Sequence, residues 1–172
     1  MTCKRVVFDD DFWAHFVTFN CYRRRGLLSL DLPKKILLGV LNQQLQLQKA
    51  SCIGFVVMPN HVHAILWFPL PGNLSKFMQG WKRKSSYQIR SWYRDADTRY
   101  FNAVEIGDKF WQPKYYSFEI DNRVKMKEKL TYMNLNPVRS GLVDRAVDWK
   151  WSSARWYANR QSVGVQVDWI DC

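Results

Sequence analysis

The run Met58-Pro59-Asn60-His61-Val62-His63-Ala64-Ile65-Leu66-Trp67-Phe68 constrains the fold of this chain more than any other stretch. Past the Pro-Asn turn, alternate side chains differ in kind, which is the period of a β-strand with two unlike faces. Val62, Ala64, Leu66 and Phe68 make one face, apolar throughout and suited to burial against helices. His61 and His63 share the other face, continued by Ile65 and Trp67. Two imidazoles so placed can reach a single ion or sit in ordinary hydrogen bonds, and spacing alone allows both. Residues 52–58 are almost wholly apolar and read as a central strand, so Pro59-Asn60 closes a β-hairpin.

The remaining chain supplies what such a hairpin packs against. Residues 12–21 alternate, with Trp13, His15, Val17 and Phe19 against Phe12, Ala14 and Phe16, and read as a first strand. His15, among large apolar neighbours, reads as a packed or edge histidine and not as a ligand. Asp31 and Pro33 start a helix whose core stripe is Ile36, Leu37, Val40, Leu41 and Leu45. After Pro69, Pro71 and Gly72, Asn73 or Ser75 opens a second helix burying Leu74, Phe77, Met78 and Trp81. Residues 95–109 read as a polar loop, 115–120 as a short strand, and Asp121 or Asn122 as the start of a third helix that Pro137 should end at Asn136. The expected architecture is α+β, one sheet with helices on one face, in a single domain over 1–172 with 144–172 as a C-terminal extension. The Trp149, Trp151 and Trp156 cluster is expected to pack at a sheet edge, and residues 161–172 carry no signal.

Charge narrows the partner. Lys and Arg number 26 against 15 acids, a net of +11, and no Asp or Glu occurs between Leu32 and Arg94. That excess points to a polyanion, nucleic acid before membrane. Lys82, Arg83, Lys84, Arg90 and Arg94 on the second helix, and Arg23 and Arg24 in the basic turn before the first, are the candidate phosphate contacts. A solvated helix face is the competing reading, and the aromatics interleaved there are read mostly as core. The four cysteines form no Cys-x-x-Cys pair, and neither a secretory start nor a membrane-length apolar run occurs, so a reducing cytoplasm is the expected location.

The third helix completes a candidate site. Met126, Leu130, Met133 and Pro137 form its buried stripe, while Tyr132 and Asn136, four apart, share a different face. No carboxylate lies near the histidines in sequence, so Asn136 is the candidate third ligand. Two imidazoles with a carbonyl oxygen and waters suit Mg²⁺ or Mn²⁺, the nitrogen donors favouring Mn²⁺.

Four blocks occur in order: Met58-Pro59-Asn60-His61-Val62-His63, Trp111-Gln112-Pro113-Lys114-Tyr115-Tyr116, residues 132–143 with Tyr132 and Asn136, and Trp149-Lys150-Trp151-Ser152-Ser153. Together they resemble the REP-associated tyrosine transposases, a branch of the IS200-like, single-strand HUH transposases, over nearly the whole chain. The resemblance implies a ferredoxin-like fold with a catalytic helix near the C-terminal end. It implies a metal-dependent enzyme that cuts and rejoins single-stranded DNA near palindromic hairpins through a 5′-phosphotyrosine link. His61 and His63 match the family's metal pair, Asn136 its further ligand and Tyr132 its nucleophile.

Tyr115 and Tyr116 are rival nucleophiles, set behind Tyr132 because only Tyr132 has a ligand one helical turn on. Water or a lysine such as Lys125 is the candidate acceptor for its proton. Two other functions stay open: a relic that binds hairpin DNA without cutting it, and an RNA-binding protein, which would leave the His-Tyr-Asn set unexplained. A homodimer is likewise left open by the resemblance.

Overall fold

The computed structural model describes residues 13–96 and 109–168. Phe12, most of the expected 95–109 loop and the last four residues lie outside the described residues. Element order is β1 (Ala14–Asn20), α1 (Asp31–Gln48), β2 (Ser51–Val57), β3 (His61–Trp67), α2 (Leu74–Asp95), β4 (Tyr116–Ile120), α3 (Arg123–Arg139) and a short α4 (Ala154–Asn159). The strands form one antiparallel sheet in the order β2-β3-β1-β4, the βαββαβ topology of a ferredoxin-like fold.

The two faces of β3 divide the molecule as their composition requires. Val62, Ala64, Leu66 and Phe68 join Val17, Phe19, Phe55 and Val57 in the larger core beneath α1 and α2. Trp81 is fully buried there and its indole N–H donates to Leu37 O at 3.1 Å, tying α2 to α1. The opposite face carries Ala14, Phe16, Ile53, Val56 and Ile65, and α3 covers it with Met126 and Met133. Burying side chains of this size contributes about 1.5–3 kcal/mol each. The two earlier helices thus pack on one face as expected, and α3 lies over the histidine face.

A close approach sets the height of α3. A Cβ on Gly54 would stand 2.7 Å from both Leu130 Cδ2 and Met133 Cε, so the helix rests where β2 carries no side chain. Asn122 caps α3, its side chain accepting from Lys125 N–H at 2.9 Å. Pro137 does not end the helix. It sits in the last turn, and α3 runs on to Arg139 before Gly141 at φ +69° turns the chain away. Pro137 forfeits one backbone hydrogen bond of the last turn, whereas the left-handed glycine reverses direction.

The C-terminal segment covers the free edge of β2. Val57 N–H donates to Trp151 O at 2.8 Å, Ser153 N–H to Phe55 O at 2.9 Å, and Asp168 N–H to Cys52 O at 2.9 Å. The tryptophan cluster therefore packs at a sheet edge, as its composition suggested, and Val163, Val165 and Val167 dock on the main core.

Candidate active site

Antiparallel pairing lays polar side chains in a row at one end of the α3-covered face. His61 lies opposite Asn20, His63 opposite Thr18, and Thr18 in turn opposite Tyr116. Further along the same strands the face becomes apolar with Phe16, Ile65 and Phe118. The third helix brings Tyr132 and Asn136 over the polar end and Lys129 over Phe16 at its border, closing a cleft of about 450 Å³ also lined by Arg24.

Inside it the two imidazoles meet the helix. Asn136 Nδ2 lies 2.8 Å from His63 Nε2 and 3.4 Å from His61 Nε2. The Nδ1 atoms are occupied elsewhere: His61 Nδ1 lies 2.6 Å from Asn60 Oδ1, and His63 Nδ1 2.7 Å from Thr18 Oγ1. An amide oxygen only accepts, so His61 Nδ1 carries the proton and its Nε2 keeps the lone pair. Burial foremost, with the Arg24 charge second, pushes His61 down to about 4. Burial, then the charges of His61 and Lys129, pushes His63 down to about 3. Both rings are therefore neutral at pH 7.

Two neutral imidazoles converging beside a carboxamide fit a divalent cation. A half-turn of the Asn136 amide would put Oδ1 where Nδ2 now stands, giving two nitrogens and one oxygen as donors. Among the described residues no third histidine, cysteine or carboxylate joins them.

Tyr132 stands at the mouth of the same cleft, 44% exposed. Its ring centroid is 5.7 Å from that of His63 and 6.3 Å from that of Phe16, edge-on to each, and Arg139 Cζ lies 5.4 Å from it. Of the rivals, Tyr115 is half-buried against the core, its hydroxyl 3.3 Å from Ser75 Oγ. Tyr116 is exposed and lines the cleft from β4, next to Thr18.

The remaining candidates separate. Arg24 reaches the cleft from a single 3₁₀ turn (Tyr22–Arg24) in which Arg23 and Arg24 both take positive φ, 54° and 52°. Such backbone costs about 1 kcal/mol or more per residue, a strain often found at functional positions. The second helix lies on the other side of the sheet, so Arg83, Arg90 and Arg94 are not cleft residues. Lys82 is not a free surface charge: its ammonium donates to the carbonyls of Gln112, Pro113 and Lys114 at 2.7, 3.1 and 3.3 Å, and burial lowers its pKa. Lys84 Nζ reaches Gln43 Oε1 at 3.3 Å. Lys125 is paired with Asp121 at 2.8 Å and does not line the cleft. His15 sits by Phe68, apart from the other histidines.

Sequence reading missed Lys129, Thr18 and Asn60. Helical spacing could have found Lys129, which lies three residues before Tyr132 and seven before Asn136. The other two depend on strand pairing and turn geometry.

Comparison with known proteins agrees with this architecture. The family described as transposase IS200-like matches residues 9–135. A REP-associated tyrosine transposase from Escherichia coli (strain K12) is 26% identical over 138 residues, 80% of this chain and 74% of the relative. Among solved structures, a REP-associated tyrosine transposase bound to a REP hairpin superposes with a TM-score of 0.68 at 22% identity, covering 100% of this chain and 95% of that one. A transposase-like protein from Deinococcus radiodurans R1 superposes with a TM-score of 0.53 at 16% identity, over 76% of this chain and 96% of that one. Both likenesses show the fold.

Proposed function

The chain belongs to the IS200-like transposase family, and from that premise we propose that it cuts and rejoins single-stranded DNA beside a hairpin through a covalent bond to Tyr132. The observation that carries this reading is an exposed phenol whose ring lies 5.7 Å from that of His63, in a cleft lined by both histidines and Asn136. Hairpin DNA as partner is extended from the solved relative, which was captured with a REP hairpin.

In the proposed reaction Tyr132 Oη attacks a phosphodiester. The bond from Oη to phosphorus forms, the bond from phosphorus to the 3′ oxygen breaks, and DNA stays attached as a 5′-phosphotyrosine. The phenol proton leaves to solvent, and the departing 3′ oxygen takes a proton to become a free 3′-OH. Reversal by another 3′-OH joins ends without added nucleotide energy. A phenol is a weak nucleophile, so the phosphate needs activation. His61, His63 and Asn136 would hold Mg²⁺ or Mn²⁺, which supplies charge stabilisation at the phosphate oxygens. Thr18 and Asn60 fix the rings with Nε2 inward. Arg24 adds a positive charge to a cleft that no acid lines among the described residues.

The test is a denaturing gel of protein with single-stranded hairpin DNA and Mg²⁺ or Mn²⁺. A slow-migrating covalent species is expected with the native protein, lost on chelation and lost in Tyr132→Phe. Hairpin binding without that species under either metal would mean a protein that holds DNA and does not cut it.

A further inference from the structure

Lys129 projects into the cleft from the helix that carries Tyr132 and Asn136, on the same face as both. Its ammonium lies 5.0 Å from the ring centroid of Phe16 and 4.8 Å from that of Phe118, two cross-strand neighbours on β1 and β4. Among the described residues no carboxylate pairs with it, in contrast to Lys34, Lys125 and Lys150. Two aromatic faces thus aim this cation while leaving its charge unneutralised. An uncompensated ammonium in the cleft that Tyr132 also lines, with no acid lining it among the described residues, is a place for an anion.

We propose that Lys129 contacts the substrate directly: its ammonium receives a non-bridging oxygen of the phosphodiester that Tyr132 attacks. The inference rests on the strand-transfer reading above and adds a residue to it. Attack brings phosphorus to about 3–3.5 Å from the phenol oxygen, and the side chain one turn earlier on that face then lies alongside the phosphate. Lys129 exchanges no proton in this step. Its charge opposes that building on the phosphate oxygens and remains beside the diester of the phosphotyrosine intermediate.

The contact can be measured without turnover. Tyr132→Phe and Tyr132→Phe/Lys129→Gln proteins are titrated, in chelator, with hairpin DNA carrying either a native phosphate or an uncharged methylphosphonate at the cleavage position. Removing the phosphate charge should weaken Tyr132→Phe about tenfold, the worth of a charge-assisted hydrogen bond. It should weaken the double variant less than twofold. Equal losses in both proteins would overturn the assignment, as Lys129 would then act through the fold or elsewhere on the DNA. With Tyr132 present and metal added, Lys129→Gln should form adduct about a hundredfold more slowly, with partial recovery in Lys129→Arg. An unchanged rate would equally overturn it. If the native protein forms no adduct on any hairpin, the strand-transfer reading fails, while the chelator titration still decides the contact.

Discussion

Asn136 Nδ2 lies 2.8 Å from His63 Nε2, bringing together residues 73 apart in sequence. The contact depends on how low α3 sits on the sheet, and Gly54 permits that height. Gly54→Ala should push Leu130 and Met133 aside and lift the helix. Both contact atoms end flexible side chains, so the expected cost is about 1 kcal/mol, a fall in melting temperature of ~2–4 °C. Calorimetry measures the shift, and adduct formation should fall with it because Tyr132 and Asn136 ride on α3.

Thr18 holds His63 from behind at 2.7 Å. Thr18→Val keeps the shape and removes the hydroxyl, and partners of this kind are worth about 10–100-fold in metal affinity. Isothermal titration with Mn²⁺ should show a loss in that range, with Thr18→Ser near the native value. Unchanged affinity in the valine variant would separate Thr18 from the site.

The depressed histidines set the pH behaviour. An ordinary pair of pKa about 6.5 would each be roughly three-quarters protonated at pH 6 and would lose about tenfold or more in metal affinity. With His61 near 4 and His63 near 3, affinity should instead hold between pH 8 and 6. Unfolded imidazoles bind protons below about 6.5 and the folded ones only far lower, so this stabilisation is complete above pH 6.5 and is lost as pH falls toward 3. Denaturant midpoints should drop from pH 7 to pH 4.5, and drop less in His61→Gln/His63→Gln.

Lys82 and Arg83 are neighbours in sequence with different work. Lys82 holds three carbonyls of residues 112–114, whereas Arg83 is exposed. Lys82→Met should lower stability by about 1–3 kcal/mol, since it strands polar groups that the ammonium now satisfies. Arg83→Gln should leave stability alone. If Arg83 touches a phosphate, the slope of log affinity against log salt should fall by about one for Arg83→Gln.

What could be read from the chain beforehand follows its periodicities. Alternation in β3 separates the histidine face, which α3 covers, from the face packed on α1 and α2, because a strand has only two sides. The stripe of Met126, Met133 and Pro137 was legible because helical spacing is equally rigid. Lys82 reads from its spacing on α2 as a surface charge, and only the fold brings residues 112–114 beneath its ammonium. Pro137 was overweighted as a stop, since a proline in the last turn forfeits one hydrogen bond and Gly141 does the turning. Thr18 could not be assigned from sequence, because the register that sets it against His63 joins strands 45 residues apart.

The most direct measurement is mass spectrometry of the covalent species formed with hairpin DNA and Mn²⁺, after digestion of protein and nucleic acid. The expected result is a nucleotide 5′-phosphate on the peptide holding Tyr132, with a free 3′-OH on the released strand. A nucleotide on Tyr116, or hairpin bound tightly with every tyrosine unmodified, would contradict it.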